Sequence, residues 1–149
     1  MDSGIGEIFA DALIEVASKS LNLTMNVLSM AADSELFDIV GAMNLNSKKS
    51  GMVLISANEA DMRKICLYMT GSAENEVSIE DVWDALCEIV NMTAGNAKVR
   101  LHNSDYMYAL TPPFVICGEN ISIITKKRSQ VISRVVGNGD ISLKMKILY

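Results

Sequence analysis

Glu88 and Asn91 stand three residues apart in the stretch DALCEIVNMTAGNAK, residues 84–98. On a helix this spacing puts a carboxylate and a carboxamide on one face, about a turn apart. A carboxylate accepts hydrogen bonds and pairs with cations, whereas a carboxamide both donates and accepts. Nucleophilic or His-based metal chemistry has less to build from. The chain holds one histidine, His102, and its three cysteines, Cys66, Cys87 and Cys117, form no CxxC pair. The plain expectation for them is reduced core thiols in a cytoplasmic protein.

Advancing about 100° per residue from Asp84, Glu88, Asn91, Gly95 and Lys98 all stay within roughly 40° of it. Leu86, Ile89, Val90, Thr93 and Ala97 fall on the far side and are expected to pack on a sheet. Gly95 interrupts the polar stripe, where glycine costs about 0.5–1 kcal/mol relative to alanine. Without a Cβ it lets another backbone come close. The phrase has an echo upstream: Asp11-Ala12-Leu13 recurs as Asp84-Ala85-Leu86, and Glu15 as Glu88. The matching stripe reads Asp11, Glu15, Ser18 and Asn22, so a hydroxyl replaces the carboxamide. Acidic and amide residues on one side of a helix are also what a simple solvated face looks like.

The elements that position these residues follow from periodicity and punctuation. Residues 5–21 are apolar at helical spacing, and three strand-like runs follow at 23–30, 36–45 and 51–57. The third is almost wholly apolar, as in a strand covered on both faces. Asn58 is placed to cap a short helix that Gly71 stops. Ser78, with Asp81 at capping-box spacing, opens the longest helix, about 79–101. Pro112-Pro113 ends any helix, and strand runs follow at 121–125, 130–136 and 141–149. In the last run Ile141, Leu143, Met145 and Ile147 alternate with Ser142, Lys144 and Lys146, the pattern of a half-exposed strand. Its length also suits pairing across a dimer interface if it lies at a sheet edge. Each half thus reads as a helix followed by three strands, without a linker between halves. The expected fold is α/β of the α+β type. One domain, residues 1–149, would be built from duplicated units at about 5–71 and 78–149, with two long helices on a mostly antiparallel sheet.

Composition narrows the function classes. The 149 residues are 50% apolar and 21% charged with a net charge of −5, which offers neither nucleic acid nor an anionic membrane a basic surface. The longest charge-free runs, 20–32 and 106–118, fall short of the roughly 18–20 residues of a membrane span. No secretory signal is visible, since Glu7, Asp11 and Glu15 interrupt the first apolar pattern. Lys126-Lys127-Arg128 reads as a solvated turn, His102 as a helix-end residue and the ten methionines mostly as core filler.

The stretch DALCEIVNMTAGNAK resembles the E-x-x-N signature of the CheX and CheC family of bacterial chemotaxis phosphatases, including the NM-x-AGNAK continuation of CheX-type members. The similarity runs more loosely through DALIEV, the signature helix, LTPPFVICGE at 110–119 and the closing strands. CheC-type members resemble a duplication with two such motifs. Here the first copy reads Glu15-Val16-Ala17-Ser18, and a single complete motif is what the CheX type implies. The resemblance implies dephosphorylation of a phosphorylated CheY-type response regulator. Asn91 would position the attacking water, and Glu88 would pair with a receiver lysine. Asp84, Gly95 and Lys98 would be partner contacts, and Met107–Leu110 and Pro112–Val115 would flank the site. This chain would need no cofactor, because Mg²⁺ belongs to the receiver. A cytoplasmic homodimer is implied as well. The competing expectation is a non-catalytic receiver-binding module related to the flagellar switch proteins.

Overall fold

Two side-chain caps set the helix starts that the sequence announces. In the computed structural model, which describes residues 2–29, 38–124 and 130–149, α1 spans Asp2–Leu21, α2 Glu59–Thr70 and α3 Ile79–Arg100. Asn58 Oδ1 accepts from the Asp61 N–H at 2.8 Å. Gly71 closes α2 at φ 67°, its N–H donating to the Leu67 carbonyl at 2.9 Å. At α3 the box is reciprocal. Ser78 Oγ accepts from the Asp81 N–H at 3.1 Å, and the Asp81 carboxylate accepts from the Ser78 N–H at 2.9 Å. Aspartate thus fills the place usually held by Glu or Gln.

Six strands form one antiparallel sheet: β1 Asn26–Ser29, β2 Ile39–Leu45, β3 Gly51–Ala57, β4 Phe114–Cys117, β5 Val131–Gly137 and β6 Ser142–Leu148. Their order is β1-β5-β6-β3-β2-β4. Exchanging β1 with β4, β2 with β5 and β3 with β6 reproduces this order read from the other edge. The same exchange carries α1, which lies on β5, onto α3, which lies on β2. The two long helices pack against each other, and α2 packs on α3.

Three strand expectations need correction. The first strand of the second half is Phe114–Cys117, directly after the prolines, whereas 121–124 forms no named strand. Ile121 and Ile123 instead pack on the second face of the sheet, against the small cluster of Val40, Ala42, Leu54 and Leu148. The final strand is not an edge and is half-exposed only at its start: β6 runs between β5 and β3, Ser142 and Lys144 are half-exposed, and Lys146 is only 6% exposed. Among the described residues, the edge strands are β1 and β4. Lys126-Lys127-Arg128, the first residues of the run 36–45 and the last residue of the run 23–30 lie outside the described residues.

The main core lies between the helices and the first face of the sheet, where Phe9, Leu13, Leu86, Ile89, Ile55 and Met145 are buried. α3 seats directly on β2 because Gly41 leaves room for it. A Cβ there would stand 2.7 Å from Val90 Cγ2 and 2.8 Å from Leu86 Cγ. Burying side chains of this size contributes roughly 1.5–3 kcal/mol each. That ties the inner face of α3 firmly to the sheet and fixes which residues it turns outward.

Candidate functional site

The inner positions of α3 behave as the helical wheel requires: Leu86, Ile89, Val90, Thr93 and Ala97 are buried. Asp84, Glu88 and Asn91 are exposed, and Gly95 and Lys98 are half-exposed. One helix therefore carries all five predicted site residues along its outward ridge. Neither Glu88 nor Asn91 has a hydrogen-bond or ion-pair partner among the described residues. A Cβ built on Gly95 would meet nothing within 4 Å. Among the described residues, no neighbouring segment accounts for that glycine, and the space above it is open.

The turn beneath the ridge is held from the inside. Tyr108, in the segment after α3, is buried and donates its hydroxyl to the Ala94 carbonyl at 2.5 Å. Burial pushes its phenol well above the usual tyrosine value, so it remains a neutral donor. Its ring stacks with Phe9 of α1, the centroids 6.1 Å apart. Sequence reading gave Tyr108 only a place in a segment flanking the site. The structure makes it a prop for the Asn91–Gly95 turn.

Two clefts, each of about 320 Å³, border α3. Towards α2 the walls are Met69, Thr70, Asp81, Asp84, Ala85 and Glu88. Three carboxylates make this flank anionic. The Asp81 carboxyl is held below its usual range by its bonds to Ser78 and stays charged. Towards β4 the described walls are Trp83, Cys87, Val115 and Cys117, an apolar set. Burial, with the charge of Asp84 beside it, pushes the Cys87 thiol up, so it remains protonated. The expectation of core thiols thus holds for Cys66, which is buried, while Cys87 is half-buried and Cys117 exposed. His102 is exposed just past α3. Among the described residues, no three His, Cys, Asp or Glu side chains are gathered as a metal ion would require. No described helix is long and apolar enough to cross a membrane.

The matching stripe on α1 is arranged differently. Glu15 accepts from Asn96 Nδ2 at 2.9 Å and from Arg100 Nη2 at 2.5 Å, both on α3, and pairs with Lys19 on its own helix. Arg100 also donates from Nε to Asn96 Oδ1 at 2.9 Å and lies 3.9 Å from Asp11. The bonds from Lys19, Asn96 and Arg100 hold the Glu15 carboxyl down at about 2. Ser18 is exposed, and Asn22, expected to continue the stripe, lies past the end of α1 at φ 53°. Asn96 and Arg100 carried no warning in the sequence, because their partner is some eighty residues away along the chain.

The chain matches the family model described as "Chemotaxis phosphatase CheX" over residues 39–135. No curated protein matches it. Among solved structures it is similar to the chemotaxis protein CheX of Vibrio vulnificus, with a TM-score of 0.83 and 22% identity, covering 97% of each chain. CheX of Desulfovibrio desulfuricans gives 0.82 at 19% identity, over 98% of this chain and 99% of that one. The CheX–CheY–BeF₃–Mg²⁺ complex of Borrelia burgdorferi gives 0.76 at 21% identity, over 95% of this chain and 94% of that one. With the family model spanning more than half its length, the chain belongs to the CheX family of chemotaxis phosphatases.

Proposed function

We propose that this protein dephosphorylates a phosphorylated CheY-type receiver, presenting α3 to the receiver's aspartyl phosphate. The observation that carries the reading is the free, outward pair Glu88 and Asn91, one turn apart on a helix whose inner face is locked to the sheet. The CheX–CheY complex of the Borrelia protein supports the choice of partner.

In this reading the receiver brings the acyl phosphate, its Mg²⁺ and a lysine, and what it lacks is an aligned water. Asn91 accepts from that water through Oδ1 and donates through Nδ2 to a phosphoryl oxygen, holding the water in line with the scissile bond. The water oxygen bonds to phosphorus as the bond from phosphorus to the aspartyl oxygen breaks. The receiver's carboxylate is restored, and inorganic phosphate leaves carrying both protons of the water. Orienting a water is also how the glutamine of small GTPases acts. Glu88 pairs with the receiver lysine and sets the register of α3. Asp84 adds to the anionic side of that contact. Gly95 leaves the ridge low where the partner's backbone passes, and Lys98 closes the far end with a positive charge. The hydrolytic step places no cofactor in this chain.

The same reading takes the chain as one domain of two helix-plus-three-strand units, 5–71 and 78–149, which the exchange symmetry of the strand order supports. It also takes the protein as a cytoplasmic homodimer. Pairing through β6 is ruled out by that strand's central place, which leaves the described edge strands β1 and β4 or a helix face. Sedimentation at micromolar concentration tests this, and a monomer removes it.

The decisive experiment compares phosphate release from phosphorylated CheY-type receivers by wild type and Asn91→Ala. Loss of release with binding largely kept supports the mechanism. Equal release by both proteins sinks it. Saturable binding by wild type without any acceleration points instead to a non-catalytic receiver-binding module.

A further inference from the structure

The ridge of α3 has two flanks of opposite chemistry. Towards α2 lies the cleft with three carboxylates, Asp81, Asp84 and Glu88. Towards β4 lies a cleft of the same size whose described walls, Trp83, Cys87, Val115 and Cys117, carry no charge. Trp83 and Cys87 are the chain neighbours of Asp84 and Glu88, about 100° round the helix from them. A partner that covers Glu88 and Asn91 is therefore in position to reach the β4 cleft as well.

We infer that the cleft between α3 and β4 is the apolar anchor of the receiver interface, taking one large apolar side chain from the receiver surface next to its phosphorylation site. The inference rests on the phosphatase reading above and extends it from chemistry to docking. Three observations carry it. The cleft is continuous with the catalytic ridge, so its occupant comes from the molecule that the ridge engages. Its described walls are an aromatic ring, an aliphatic side chain and two sulfurs. Such a pocket gains from excluding water and offers nothing to a charge, and interfaces concentrate their binding free energy in buried apolar anchors beside a polar rim. Finally, β4 is the outermost of the described strands, so no described strand closes the cleft on that side.

This arrangement divides the labour within one interface. The anionic flank and Glu88 recognise a cation, which is common to receivers of this type. The apolar flank reads the identity of a neighbouring side chain, and so serves to select among receivers.

Cys117 gives the cleanest test, since it is exposed at the end of an edge strand and its replacement leaves the core untouched. Cys117→Glu puts a charge into the cleft and Cys117→Trp fills it. A CheY-type receiver loaded with beryllofluoride and magnesium is titrated against wild type and both variants, and steady-state phosphate release is measured on the phosphorylated receiver. Thermal melts confirm the fold. Both variants are expected to weaken binding and raise KM about tenfold, with kcat within about twofold of wild type. Wild-type binding and KM in both variants, in a preparation where Asn91→Ala has lost release, overturn the anchor and leave the phosphatase reading standing. A wild type that neither binds nor dephosphorylates any receiver overturns both.

Discussion

α1 and α3 begin with the same phrase, Asp-Ala-Leu followed by glutamate two residues on, and they pack side by side on the sheet. Their glutamates nevertheless do different work. Glu15 is bound by Lys19, Asn96 and Arg100, and two of these three reach across from α3. Glu88 has no partner among the described residues and faces outward over a cleft. A carboxylate that already holds three internal donors, two of them cationic, has little left to offer an incoming cation, because most of its acceptor sites are occupied and its charge is balanced. Missing the amide is thus only half of what separates the first copy from the second. Its acid has been turned inward to join the two helices. The stripe itself also ends early, since α1 stops at Leu21 whereas α3 continues past the equivalent point through Gly95 to Arg100.

The largest expected effect comes from making α3 read like α1. Asn91→Ser, like Asn91→Ala, should lower kcat for phosphate release by about a hundredfold or more, since removing one group that positions or stabilises the reacting atoms typically costs this much. Retention of most activity in the serine variant would mean that a hydroxyl suffices, and the contrast between copies would lose its chemical basis.

Next comes Glu88→Ala, expected to raise KM and reduce kcat, each by about tenfold, through loss of the charge pair that sets the helix in register. The effect should shrink as salt is raised, because such pairs are screened when exposed. An effect that is independent of ionic strength would argue against a charge partner.

Glu15→Gln should act on stability and leave the chemistry nearly intact. The Glu15 carboxyl lies at about 2, against an ordinary 4.5. Its stabilising contribution is therefore present above pH 4.5 and is lost as pH falls towards 2. The Tm of the variant should lie below that of wild type at pH 7, and the gap should close on acidification through this window. A gap that is constant from pH 7 to pH 2 would show that the carboxylate's charge is not what holds α1 to α3.

The smallest expected effect is the most pointed. Ser18→Asn restores the Glu-x-x-Asn pattern to α1, yet with Glu15 still held by three donors it should leave the release rate of wild type unchanged within about twofold. A clear gain would show that the first copy lacked only its amide.

Much of the site was legible in the sequence because helices are written locally. The period of Leu86, Ile89, Val90, Thr93 and Ala97 fixed the inner face of α3, and hence the outward position of Glu88 and Asn91. The caps at Asn58 and Ser78 and the stop at Gly71 each depend on residues within one turn, and all three stand where their residue types place them. Strand identity was less secure. The run at 121–125 has the composition of a strand, but the ladder to β2 is made by Phe114–Cys117, and pairing depends on a partner distant in the chain. The alternation of Ser142, Lys144 and Lys146 likewise described one strand's two faces without saying what lay beyond them. The answer came from the position of β6 between β5 and β3.

By itself, then, the sequence determined the helices, their caps, the face that α3 turns outward and the residues along its ridge. Each of these follows from steric and hydrogen-bond rules that act over a few residues. Only the tertiary structure decided which of two near-identical acids stays free, because Asn96 and Arg100 reach Glu15 across a helix–helix contact. Only the tertiary structure joined Trp83 and Cys87 to Val115 and Cys117 in one cleft. Those neighbours are set by the order of the strands, and strand order is fixed by burial summed over the whole sheet, which no local pattern records.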